Sequence, residues 1–185
     1  TGVEAARIGQ VVMGSVLQNP VTSNVARDAA LAAGFPDHTP AHTVTLACIS
    51  ANRAIADAAL NLEAGRAEFA VAGGVELLSD VAPVFSKKMR SRLFRARRSR
   101  GPLQFSRHLR GLKLRELLPS APAVAEYTTG ETMGRSADRL AARFGVSRLE
   151  QDSYALRSHT LAAEATAAGQ LVQEIMPVSL PESFD

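Results

Sequence analysis

Cys48 is the one cysteine in the chain and its strongest potential nucleophile. It falls between an apolar run, residues 41–47 (AHTVTLA), and an alanine-rich segment carrying Ala51, Ala54, Ile55, Ala58, Ala59 and Leu62. Those apolar positions recur with the spacing of a single helical face. Cys48 is therefore expected at the junction of a buried strand and a helix N-terminus. Unpaired backbone N–H groups and the positive end of the helix dipole converge there, and both favour an anion, the thiolate included. The same N–H groups suit the oxygen of a bound thioester, so the chemistry on offer is nucleophilic acyl transfer. The competing expectation is plain packing, because free cysteines are commonly small buried hydrophobes. No general base lies close to Cys48 in the sequence.

The other reactive side chains form weaker patterns. His38 and His42 are four residues apart, but Pro36 and Pro40 oppose the helix that would align them, and no cysteine or carboxylate completes a zinc set. His159 reads as a partly buried packing residue beside a helical stripe, and His108 lies in a basic run. Gly73 and Gly74 end an apolar run, where parallel sheets often bind ligands, although a tight turn explains two glycines equally well. Met133 heads an apolar stripe, a place usually taken by core methionines. No phosphate loop or dinucleotide fingerprint is present.

The elements that would position these residues alternate. Residues 8–18 read as a strand. A helix follows with Ala26, Ala29, Ala30 and Ala33 on one face, capped by Thr22 or Ser23. Then come the 41–47 strand, the helix after Cys48 and a strand over 68–75. That order predicts a parallel α/β sheet with right-handed crossovers. Farther on, a helix carries Met133, Ala137, Leu140, Ala141 and Phe144. Ser147 and Glu150 form a capping box for the next helix. Residues 120–129 read as a loop and residues 171–180 as a final strand. Three parallel strands seldom close a core alone and no strand precedes the first, so both ends read as cut.

The length of 185 residues suits one domain or two small ones. An apolar share of 46% and a charged share of 21% exclude wholesale disorder. No apolar run is long enough for a transmembrane helix, and no signal peptide is visible. A lone cysteine fits a reducing compartment. The net charge of +3 conceals an asymmetry: twelve of the 21 Lys and Arg, and no acid, lie between Ser86 and Arg115. This asymmetry suggests an anionic partner, whether a phosphorylated small molecule, a membrane lipid or nucleic acid, and a non-catalytic binding module or a plain solvated loop stand as the alternatives to an enzyme segment. Met89, Leu93, Phe94, Phe105, Leu109 and Leu112 lie among the bases, which suits an anionic membrane surface with Arg95, Arg97, Arg98 and Arg100 as contacts. With two aromatics and no RNA-binding signature, nucleic acid is not expected.

The residues also carry a resemblance. AHTVTLACISANRAIADAALNLEAGRAEFAVAGGVELLSDV (41–81) resembles the nucleophile segment of thiolases, with its cysteine at a strand-to-helix junction and an AGG-x-E strand after it. TSNVARDAALAAGF (22–35), FSKKMR (85–90) and PAVAEYTTGETMGRSADRLAARFGVSRLEQDSYALRSH (122–159) match in order, so the likeness covers nearly the whole chain. It is greatest to the fatty-acid-oxidation branch, the beta subunits of trifunctional enzymes and their bacterial counterparts. The resemblance implies a 3-ketoacyl-CoA thiolase in which Cys48 attacks the 3-keto carbonyl and a second coenzyme A takes the shortened acyl group. It implies that Met133 lines the pantetheine channel, and that Thr132, where several biosynthetic relatives have histidine, favours the degradative branch. Acyl-CoA and CoA are then the ligands, CoA as co-substrate with no further cofactor and no metal. Homodimers, a hydratase/dehydrogenase alpha subunit, and the matrix side of the mitochondrial inner membrane or the bacterial cytoplasm are implied with them.

The family's HEA, GHP and C-x-GGG motifs do not occur in the chain. The expected architecture is a thiolase-like parallel-sheet half-domain (residues 1–86) bearing an inserted, mostly helical loop domain (87–185, with the basic segment at 87–118 and helices over about 130–168). The second half-domain is absent, and these residues alone are not expected to turn over.

Overall fold

The computed structural model describes residues 2–119 and 124–178, apart from the side chains of Leu109, Leu114 and Arg115. Three strands, β1 (Ile8–Gly14), β2 (Ala41–Val44) and β3 (Phe69–Gly74), form a parallel sheet in the order β2-β1-β3. Helix α1 (Val25–Ala32) links β1 to β2, and α2 (Ser50–Glu63) links β2 to β3. This is the alternation the sequence predicts.

The core is small. Val12 and Ala54 are fully buried and Ala58 nearly so, with Val44, Ala70 and Ala72 packed around them. Ala54 and Ala58 stand one helical turn apart on the face of α2 that lies on β1. Their size lets the helix backbone come close to the strand. Gly14 marks the closest approach: a Cβ there would lie 2.4 Å from the carbonyl carbon of Ser50. The Gly14→Ala change should therefore destabilise the chain by at least about 1–3 kcal/mol, the usual cost of overpacking. Thermal unfolding of the two forms measures it.

Several elements depart from the sequence expectation. β1 ends at Gly14 rather than at residue 18: the Ser15 N–H still reaches the Val44 carbonyl, and the Val16 and Leu17 N–H groups then turn to a side chain described below. The cap of α1 is Asn24, whose side chain accepts from the Arg27 N–H, instead of Thr22 or Ser23. Thr22 serves one step earlier, its hydroxyl accepting the Asn24 N–H and donating to Asp28. The apolar stripe of α2 is rotated. Ile55, Ala59 and Leu62 are exposed, while Asp57 and Asn61 lie on the half-buried flank. Asp57 pairs with Arg53 at 2.7 Å and Asn61 donates to Gln10 at 2.8 Å, so both polar groups are partnered there.

The basic segment folds as three helices, α3 (Lys87–Arg97), α4 (Pro102–Leu109) and α5 (Leu114–Leu117). Pro102 starts α4, where its missing N–H costs nothing. The chain divides into compact units at Thr1–Ala121 and Pro122–Asp185. Helices α3–α5 thus fall in the first unit, whereas the composition change places a boundary at residue 86. They are tied together by their own bases. Lys88 pairs with Glu116 at 2.6 Å, and the Arg92 guanidinium donates to the Arg110 carbonyl at 2.7 Å. The Lys88 ammonium, with the Lys113 N–H, holds the Glu116 carboxyl below the usual carboxylate range.

The second unit contains α6 (Met133–Arg143) and α7 (Arg148–Ala167). Thr132 caps α6 by accepting the Arg135 N–H, and Ser147 with Glu150 forms the expected capping box on α7. Gly145 and Gly169 close the two helices with positive φ. Neither helix has a buried residue, so Met133 and His159 are exposed rather than packed. Residues 171–178 form a turn followed by irregular chain, not the expected strand. No described strand is paired with them, and an unpaired strand has no ladder to hold it. The remainder of that expected strand (179–180) and of the expected loop (120–123) lies outside the described residues.

The Ser147 N–H and hydroxyl, at 2.8 and 2.7 Å, hold the Glu150 carboxyl below its ordinary 4.5. A carboxylate depressed by folding adds stability above its unfolded value and loses it as pH falls through the folded value. Helicity of α7 should therefore decline below pH 4.5. Glu150→Gln should remove that part of the acid dependence, read by circular dichroism against pH.

Candidate active site

Cys48 sits on a short turn between β2 and α2. Ile49 donates its N–H to the Leu46 carbonyl at 3.2 Å and Ser50 to the Ala47 carbonyl at 3.1 Å. Ala47, at the tip, has a φ of 46°, a left-handed conformation uncommon outside glycine. The turn reverses the chain between the sheet and the helix, and Cys48 leaves it exposed. Simple burial, the competing expectation for this cysteine, is thereby corrected. The reason is its place on the turn, at the open cleft beyond the end of the sheet.

Cys48 opens into a cleft of about 580 Å³ at the C-terminal edge of the sheet, the edge at which open α/β sheets bind ligands. One wall is the turn with the start of α2, a second is the exit of β1 (Ser15, Val16, Leu17), and a third is the exit of β3 (Val75, Glu76). The exits are clamped to one another. The Glu76 carboxylate accepts the Val16 N–H at 2.8 Å and the Leu17 N–H at 3.0 Å. The Thr45 hydroxyl donates to the Ser15 carbonyl at 2.6 Å, and the Ser15 N–H to the Val44 carbonyl at 3.1 Å. Gly74 lets β3 reach this edge, since a Cβ there would stand 3.0 Å from that of Ala51. The N-terminus of α2, where first-turn N–H groups have no partner within the helix, lies at the same edge, with Ser50 and Ala51 lining the cleft. The site presents a thiol, a helix N-terminus and a partly apolar cleft together.

Glu76, Ser50 and Ala47 are the participants that spacing did not single out. Glu76 lies within the AGG-x-E run, so its position was visible there but its role as a clamp was not. Ser50 and Ala47 gave no signal, since a serine and an alanine near a helix start are unremarkable residues. Met133 is the first residue of α6, in the second unit. Arg95, Arg97, Arg98 and Arg100 are exposed at the end of α3 and in the link to α4. No group of metal-ligating side chains occurs among the described residues.

A parallel α/β unit that presents an exposed cysteine at a strand-to-helix turn belongs with enzymes that build their chemistry on that edge of the sheet. The chain is a member of the thiolase family: the thiolase N-terminal domain matches residues 1–185. It is 49% identical over 181 residues to the mitochondrial trifunctional enzyme subunit beta of Macaca fascicularis, covering 98% of this chain and 38% of that protein. It is 47% identical over 175 residues to a probable 3-ketoacyl-CoA thiolase of Caenorhabditis elegans, covering 94% and 39%. The crystal structure of the Bacillus anthracis acetyl-CoA acetyltransferase superposes with a TM-score of 0.74 at 30% identity, covering all of this chain and 42% of that one. The chain thus has the thiolase fold and spans about two fifths of the length of these relatives.

Proposed function

We propose that this chain carries the acyl-accepting cysteine of a 3-ketoacyl-CoA thiolase of fatty-acid oxidation. The observation that carries the reading is the exposed Cys48 at the clamped C-terminal edge of the sheet. The names of the similar relatives support the substrate class. The Cys48 thiolate attacks the C3 keto carbon of 3-ketoacyl-CoA. The C2–C3 bond breaks, its electron pair passes to C2, and C2 takes a proton as acetyl-CoA departs. The acyl group stays on Sγ as a thioester. The thiolate of a second CoA then attacks that carbonyl, Sγ leaves, and an acyl-CoA two carbons shorter is released. The α2 N-terminus stabilises the oxygen on which charge develops. The proton donor and acceptor are assigned to the second half-domain, which these residues do not include. Met133 is assigned to the pantetheine arm, with CoA as co-substrate and no other cofactor.

The whole protein is proposed to act as a homodimer with a hydratase/dehydrogenase alpha subunit, in mitochondria on the matrix side of the inner membrane or in a bacterial cytoplasm. A biosynthetic acetoacetyl-CoA thiolase is the second reading, favoured by the likeness to the bacterial acetyltransferase. Thr132 caps α6, so its identity weighs less between the two branches than its alignment suggests. The test is direct. The full-length protein is mixed with a 3-ketoacyl-CoA without free CoA, quenched in acid and digested. The Cys48 peptide should gain the mass of the shortened acyl group. An acyl group on another residue, or none, overturns the assignment, and a series from acetoacetyl-CoA to long-chain substrates separates the two branches.

A further inference from the structure

The turn that presents Cys48 has two backbone hydrogen bonds of its own and is braced by one buried hydroxyl. Ala47 holds a positive φ, and such a conformation in a residue with a Cβ persists only where its surroundings fix it. The Ser50 hydroxyl supplies that constraint from both sides. It accepts the Leu46 N–H at 2.9 Å and donates to the Ala47 carbonyl at 2.6 Å. Ser50 is itself buried, and its backbone is pressed onto β1 at the position where Gly14 lacks a side chain. The hydroxyl is therefore anchored to the sheet, and the Thr45–Leu46 and Ala47–Cys48 peptide groups are anchored to the hydroxyl.

We propose that Ser50 is the positioning residue for Cys48: its hydroxyl locks the Leu46–Ala47 turn and so fixes the direction in which the thiol enters the cleft. The inference rests on the reading of Cys48 as the acyl acceptor. Ser50 acts through the turn and makes no contact with substrate. An ångström of misplacement at a reacting atom costs up to about a hundredfold in rate, and removal of the hydroxyl takes away its bonds to the Leu46 N–H and the Ala47 carbonyl together, leaving the turn to its two backbone bonds.

The experiment uses the full-length protein. Ser50→Ala should lower kcat for thiolysis by about 10- to 100-fold while KM for the acyl-CoA moves by less than about threefold, because binding is spread over the cleft and alignment is not. Ser50→Thr keeps the hydroxyl and should retain at least about a third of the rate. If Ser50→Ala does not fold, Ser50→Gly carries the same expectation, since a water in the vacated space can satisfy the Leu46 N–H and the Ala47 carbonyl without tethering them to the sheet. Acyl transfer to Cys48 in the unsubstituted protein, read by peptide mass, separates the two ideas. Acylated Cys48 together with a Ser50→Ala rate within about twofold of normal overturns the positioning role alone. An unacylated Cys48 overturns both. A matched loss in the threonine and alanine forms, or the failure of both the alanine and glycine forms to fold, makes Ser50 a packing residue and also overturns the proposal.

Discussion

Replacing Cys48 by alanine in the full-length protein is expected to abolish thiolysis, by on the order of 10⁴-fold or more, as for other enzymes stripped of a covalent nucleophile. The same change should leave stability within about 0.5 kcal/mol, because the side chain is exposed and fills no cavity. The fold around it depends on other atoms: the Ser50 hydroxyl, the Gly14 contact and the Glu76 clamp. Activity and stability should therefore separate cleanly at this position, which they rarely do in a core. Cys48→Ser should be nearly inactive as well, since an alcohol is not ionised near neutral pH and is the weaker nucleophile. Steady-state kinetics and thermal unfolding on the same preparations provide the check. A Cys48→Ala protein that keeps even a tenth of the rate would remove Cys48 from the mechanism.

The sheet and the place of Cys48 were legible because they depend on local alternation. The runs at 41–47 and 68–75, the alanine positions between them and Pro20 are enough to imply strand, helix, strand. Nothing in those patterns reports how α2 is rotated about its axis. Ala51, Ala54, Ile55, Ala58, Ala59 and Leu62 form one apolar stripe on paper. The sheet takes only its Ala54–Ala58 side, because Arg53 partners Asp57 and Gln10 partners Asn61 on the adjacent flank. Caps shift for a similar reason. Thr22, Ser23 and Asn24 are all competent capping residues, and the choice of Asn24 is made by Ala41 and Thr43 on β2. The Asn24 side chain donates to the Ala41 carbonyl and accepts the Thr43 hydroxyl. The site was half legible. A thiol before a helix can be read from a string of residues. A glutamate that accepts two N–H groups from a loop about sixty positions away cannot.

The second large effect is expected at the basic helices. Arg95, Arg97, Arg98 and Arg100 are exposed and lie beside apolar side chains that also face solvent, Phe94 at 69% and Leu103 at 77% exposure, with Phe105 nearby in α4. The structure refines which residues of the segment are available. Met89 is buried within the first unit, and Lys88 and Arg92 are engaged with Glu116 and the Arg110 carbonyl, so these bases are partly committed within the unit. What remains is a short α3–α4 edge with aromatic and leucine tips between guanidinium groups, a pattern suited to the headgroup boundary of an anionic membrane. Each Lys or Arg near such a surface contributes roughly 1 kcal/mol, and the attraction decays over about 8 Å at physiological salt. The full-length protein should accordingly bind vesicles containing phosphatidylserine, and bind neutral vesicles much less. Reversing Arg95, Arg97, Arg98 and Arg100 to Glu should lower that binding at least about a hundredfold, the loss of some 3 kcal/mol or more. Thiolysis of a soluble short-chain substrate should change by less than about threefold, because none of the four arginines lines the cleft at Cys48. Vesicle co-sedimentation and kinetics on the same variant decide the matter. A quadruple variant that loses affinity for CoA while its lipid binding persists would assign these arginines to the substrate instead.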